Sequence, residues 1–90
     1  MPMHRITEIE FLPNLRLKAR FAGGETRIYD VASLQERWPA FRSLSTIPGL
    51  FALARLEAGG HGIVWNDEID LASEEVWYNG LDEEGASNRS

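Results

Sequence analysis

The sequence predicts an α+β fold: an N-terminal three-stranded antiparallel meander, a short helix, a second β-hairpin and a short C-terminal helix. Three observations predict it. Leu15, Leu17, Ala19 and Phe21 alternate with Arg16, Lys18 and Arg20, a period of two that buries one strand face and wets the other. Glycine pairs at Gly23-Gly24 and Gly59-Gly60 punctuate the chain as hairpin turns do. After Ser33 the apolar spacing lengthens, and Leu34, Trp38 and Phe41 can share one helical face.

Taken in order, Ile6 to Leu12 forms the first strand and Pro13-Asn14 the turn after it. The alternating segment follows, and Ala22-Gly23-Gly24 leads into a third strand over Thr26 to Val31. Glu8 and Glu10 then face Arg16, Lys18 and Arg20 across the wet side. Ser33 as N-cap with Glu36 three residues on reads as a capping box for a helix over about 33–38. Pro39 limits that helix and disfavours helical geometry at Trp38, so a second turn carries the chain through Phe41 to Leu44. Leu50 to Leu56, apolar apart from Arg55, suits a mostly buried strand, with a helix as the alternative for so short a run. His61 to Trp65 is a strand, Asn66-Asp67-Glu68 a turn and Ile69-Asp70-Leu71 a short extended piece. Ser73 caps the last helical segment, Glu74 and Glu75 sit at its positive end, and Asn79-Gly80 ends it. Residues 1–80 form one domain, and the acidic tail 81–90 is expected to be disordered.

Composition narrows the chemistry. The 90 residues include no Cys, so disulfides and thiolate metal sites are excluded, and two distant histidines, His4 and His61, make a poor zinc inventory. No serine sits in a Gly-x-Ser-x-Gly elbow and no glycine run makes a phosphate loop. No catalytic residue, cofactor or metal is assigned, and the balance leans away from an enzyme. The net charge of −5 disfavours binding to nucleic-acid phosphates, although Arg16, Lys18 and Arg20 can form a local basic face, a weak nucleic-acid reading. No apolar run approaches the ~20 residues of a membrane span, and without a leader segment or Cys the expected address is the cytoplasm. Asp67 and Asp70, with Tyr29 and Asp30, are the candidates for a small-ligand, metal or enzymatic site. The opposing reading makes Asp67 part of a solvated turn and Asp30 the cap of the turn behind its strand. Trp65, mid-strand, is the better core residue, whereas Trp77-Tyr78 is the better interface candidate, because Trp is enriched at contacts between proteins. A protein partner, with a homodimer as a further option, fits this inventory best.

Several of these residues recur in a recognisable order. Gly23-Gly24 precedes Arg27-x-Tyr29-Asp30-Val31, then Phe41, Leu44 and Phe51, then Ile63-x-Trp65-x-Asp67-x-x-Asp70-Leu71, and finally Trp77-Tyr78-x-Gly80. This order resembles the small bacterial family catalogued as domain of unknown function 2442, over about residues 4–80. The chain departs from the family pattern at Glu68-Ile69, where many relatives would carry a turn glycine. The resemblance implies a small α+β domain without an assigned activity. It implies either a module ahead of a helix-turn-helix, for which this chain is too short, or a stand-alone partner of a neighbouring gene's product. The second implication makes it an antitoxin-like or regulatory protein-interaction module.

Overall fold

The computed structural model describes residues 4–82. Among these, seven strands form two antiparallel sheets. The first sheet contains β1 (Ile6–Leu12), β2 (Arg16–Phe21), β3 (Thr26–Asp30) and β7 (Leu81–Asp82), in the order β1-β2-β3-β7. The second contains β4 (Arg55–Leu56), β5 (Gly62–Asn66) and β6 (Ile69–Ala72), in chain order. Helix α1 (Ser43–Thr46) and helix α2 (Ser73–Asn79) are both short, and no helix among the described residues is long and apolar enough to cross a membrane.

The meander forms as its alternation requires. Leu17, Ala19 and Phe21 of β2 are buried and Arg16 and Arg20 exposed. Glu8 lies opposite Arg20 and Glu10 opposite Lys18, with closest nitrogen–oxygen distances of 3.3 and 4.0 Å. These pairs are largely solvated and each adds at most about 1 kcal/mol. The β1–β2 turn holds a local conflict: Asn14 and Leu15 both have positive φ, 66° and 58°. Asn tolerates that region, but Leu does so only when packing compensates. Leu15 packs against the core, and its carbonyl accepts the Val31 N–H at 2.9 Å.

The middle of the chain differs from the sequence reading in three places. The segment after β3 is a 3-10 helix over Val31–Gln35, not a helix capped by Ser33. Asp30 is its cap: the Asp30 carboxylate accepts the Ala32 N–H at 3.2 Å, while the Ser33 hydroxyl donates to the Asp30 carbonyl at 2.8 Å. The helix thus begins as soon as the strand ends, and Glu36 comes too late to close a capping box. Trp38 does not share a buried face with Leu34 and Phe41. It is extended (φ −130°, ψ 102°), as a residue before proline prefers, and is 48% exposed, whereas Leu34 and Phe41 are buried. The run Leu50 to Leu56 is not a strand. Phe51–Leu53 is a 3-10 turn and only Arg55–Leu56 pairs. Gly49 at φ +82° turns the chain into it, and Leu53 ends 69% exposed.

At the end of the fold β6 runs directly into α2. Ser73 is therefore not the cap; it is buried inside the helix, its N–H donating to the His61 carbonyl at 2.9 Å as a last rung of the β5–β6 ladder. Gly80 ends α2 with its N–H on the Val76 carbonyl, and the chain continues into β7 against β3. Of the expected acidic tail, Leu81–Asp82 is this strand, and 83–90 lie outside the described residues.

Contacts at Gly60 and at Glu74 are two of those that join the parts. Gly60, buried with φ +75°, lies so close to β1 that a Cβ there would collide with the Ile6 carbonyl oxygen. On the other side, Glu74 of α2 accepts the His4 backbone N–H at 2.8 Å and stands 2.9 Å from His4 Nδ1, and the His4 ring stacks on Trp77 at 4.0 Å. The His4 backbone N–H, and then its side chain, hold the Glu74 carboxyl below its usual range.

Gly60→Ala should cost about 3 kcal/mol or more in urea unfolding, because it adds a backbone collision to left-handed strain. Gly49→Ala, at a similar φ but with open space around it, should cost only about 1 kcal/mol. Glu74 is a carboxylate with a depressed folded pKa. Its stabilisation is present above the ordinary value of 4.5 and drains away as pH falls through the lower folded value. Glu74→Gln should therefore melt below wild type at neutral pH, with the gap closing as the pH drops well below 4.5.

Candidate functional site

The residues singled out from the sequence do not converge on one ligand site. Tyr29 is buried on β3, and its hydroxyl donates to Glu75 Oε2 of α2 at 2.8 Å. Burial, then the hydrogen bond to Glu75, push its phenol well above the ordinary value, so it stays protonated. Asp30 caps the 3-10 helix. Trp65 is core, with its indole N–H on the Phe51 carbonyl at 2.9 Å. Asp67 is exposed at the β5–β6 turn. That turn is organised by Asn66, whose side-chain oxygen accepts the N–H groups of Glu68 (2.8 Å) and Ile69 (3.0 Å). None of its residues has positive φ, which is why the turn needs no glycine. Trp77 is half-buried: besides the His4 stack, the Arg27 guanidinium lies 4.0 Å from its ring centroid and Phe21 meets it edge-on at 5.0 Å. Tyr78 beside it is 70% exposed.

Of the candidate carboxylates, Asp70 lines a concavity. A groove of about 450 Å³ runs between β6 and the 3-10 turn Pro39–Arg42, lined by Trp38, Pro39, Ala40, Phe41, Glu68, Asp70, Leu71, Ala72 and Glu75. Local chemistry builds each wall. Pro39 holds Trp38 extended and out of the core, while Phe41 turns inward and meets Trp65 edge-on at 6.2 Å. Glu75 is held at the groove by the Tyr29 hydroxyl, with an Arg37 guanidinium nitrogen 3.8 Å away. The Arg37 guanidinium also lies 4.5 Å from the Trp38 ring centroid. Among the described residues, the lining carries three carboxylates and no lysine or arginine.

The floor of the groove is a sheet edge. Strand β6 is the last of its sheet. The Ser73 N–H bond to the His61 carbonyl makes that pair a hydrogen-bonded one, so by alternation Leu71 also bonds inward to Ile63. Asp70 and Ala72 occupy the alternate pairs, opposite Val64 and Gly62, so the Asp70 N–H and C=O and the Ala72 N–H point away from β5 at the sheet edge, and both residues line the groove. The exposed Asp70 and Ala72 side chains and the buried Ile69 and Leu71 follow the same period.

The sequence reading missed Trp38 and Glu75 as site residues. Pro39 was the available signal for Trp38, since an extended residue leaves the helical face its spacing suggests. For Glu75 there was none, because its partner Tyr29 lies 46 residues away. A second shallow concavity, over Glu8, Ile9, Glu10, Lys18 and Arg20, covers the basic face considered for nucleic acid, and its cations are interleaved with glutamates.

No curated protein and no solved structure matches the chain. The model of the family described as “Protein of unknown function (DUF2442)” matches residues 6–81, and the chain belongs to that family.

Proposed function

We propose that this protein is a non-enzymatic protein-interaction module that takes a partner protein into the groove between Trp38 and β6. A partner encoded by a neighbouring gene, as for an antitoxin-like or regulatory domain, is the natural one to test. One observation carries the reading: a large aromatic ring, 48% exposed, stands across a groove from backbone groups that point out of the sheet. Apolar surface of this kind contributes about 25 cal/mol per Å² when a partner covers it, and Trp is prominent among residues that dominate binding energy. Open sheet edges pair with other chains unless they are blocked. The four residues proposed from the sequence for small-ligand or catalytic chemistry support that alternative less well, because only Asp70 of them lines the groove.

The experiment is co-purification of the tagged protein with each neighbouring gene's product, wild type against Trp38→Ala. Because the Trp38 ring is half in solvent, the variant should keep its fold and lose about 1 kcal/mol of stability at most. Partner capture should fall by about tenfold or more, the usual loss at a binding anchor. Capture of no neighbouring product, or equal capture by a folded Trp38→Ala, would count decisively against the reading.

A further inference from the structure

Resting on the reading that the groove takes a protein partner, we propose that its occupant is an extended, basic segment of that partner. The segment adds as a strand to the free edge of β6 and sets arginine or lysine side chains against Glu68, Asp70 and Glu75.

A strand laid beside β6 finds the Asp70 N–H and C=O as one closely spaced pair, and the Ala72 N–H two residues on, at the spacing a ladder needs. The Ala72 carbonyl is not offered, since Ala72 is the N-cap of α2 and its carbonyl receives the first helical bond. The edge is short, so main-chain bonding alone gives little affinity, and side chains must supply the rest.

The lining says which side chains. Glu68, Asp70 and Glu75 face the groove without a lysine or arginine among the lining residues, and Arg37 stands only at the Glu75 end. A cation opposite Asp70 on an added strand makes a favourable cross-strand pair, whereas a carboxylate there is repelled. The same rule disfavours a second copy of this chain, because pairing β6 with β6 brings Asp70 carboxylates towards one another. Trp38 already accepts one guanidinium near its ring, so its chemistry suits an arginine arriving along the groove. The chain's net charge of −5 favours approach by the same class of partner.

Ala72 provides an unusually direct test. Its φ of −68° is already that of proline, and its N–H points away from β5 at the free edge. Ala72→Pro therefore deletes an edge donor and blocks an incoming strand while leaving the backbone path of β6 and α2 intact. The charge arm is Glu68→Gln with Asp70→Asn, which keeps the shapes and removes two charges.

The measurement is a titration of the ¹⁵N-labelled full chain, followed by amide and indole shifts. The probes are a blocked hexapeptide alternating arginine with threonine and valine, and its counterpart with glutamate for arginine. The arginine peptide should shift the Asp70 and Ala72 amides and the Trp38 indole N–H saturably at up to about 1 mM. Its binding should weaken steeply with added salt, and the glutamate peptide should leave those signals in place. Ala72→Pro and the charge variant should each weaken binding by about tenfold. Equal binding of the two peptides, undiminished binding to a folded Ala72→Pro, or shifts at Asp70 and Ala72 that grow with protein concentration without peptide would each overturn the proposal. In the last case a second copy occupies the edge. If a neighbouring gene's product is captured by wild type and lost with Trp38→Ala, yet is held equally by Ala72→Pro and the charge variant, strand addition fails while the protein-interaction reading stands.

Discussion

Trp65 is almost completely buried, and an indole brings a polar N–H into the interior with it. Leaving such a donor unpaired costs about 1–3 kcal/mol, so something must meet it. The Phe51 carbonyl does, from a segment with little regular structure of its own. That bond settles where the irregular stretch between α1 and β4 lies. It places the Phe51 ring against Trp65 and edge-on to Phe11, while Phe41 packs against Trp65 from the preceding turn. The Pro39–Arg42 turn that walls the groove is therefore held in place from behind by Trp65. A residue almost wholly withdrawn from solvent thus shapes the wall of the groove.

Strand β6 connects that interior to the exterior. Ile69 and Leu71 bury their side chains, while Asp70 and Ala72 leave theirs exposed and turn the Asp70 N–H and C=O and the Ala72 N–H away from β5. Four residues can do this because the strand has two periodicities in phase, one of side chains and one of hydrogen-bonding groups. The helix behind it adds Glu75, steadied by a buried tyrosine whose own proton is held firmly by that environment. The groove is accordingly made from three separate parts of the chain, each fixed by a different force: proline sterics at Trp38, ladder alternation at Asp70 and a buried hydrogen bond at Glu75.

The legible parts of the sequence were those governed by local periodicity. The β2 alternation and the Glu8 and Glu10 register could be read because a period of two admits one burial pattern. The family resemblance was legible from the spacing of Tyr29-Asp30 and Trp65 to Leu71, and the family match over 6–81 agrees with it. Leu50 to Leu56 could not be read, since an apolar run has no period to choose between strand, helix and turn, and the choice was made by Trp65 at a distance. The capping assignments at Ser33 and Ser73 failed for a related reason. In both places a strand leads directly into the helix, so the residue that ends the strand, Asp30 or Ala72, takes the cap position. The groove was invisible because Trp38, Asp70 and Glu75 are brought together only by tertiary packing.

The near-contact of Gly60 with the Ile6 backbone has a thermodynamic consequence for recognition. Two main chains that touch without a side chain between them leave no layer that can slide, so the sheets meet in a single fixed relation. On the proposed reading, the groove built on them would need little rearrangement before an encounter. The entropy lost on such an association would then fall mainly on the incoming chain. An already extended segment, such as one rich in β-branched residues, would bind more tightly than a floppy one of equal charge, and maturation of affinity would proceed by stiffening the partner.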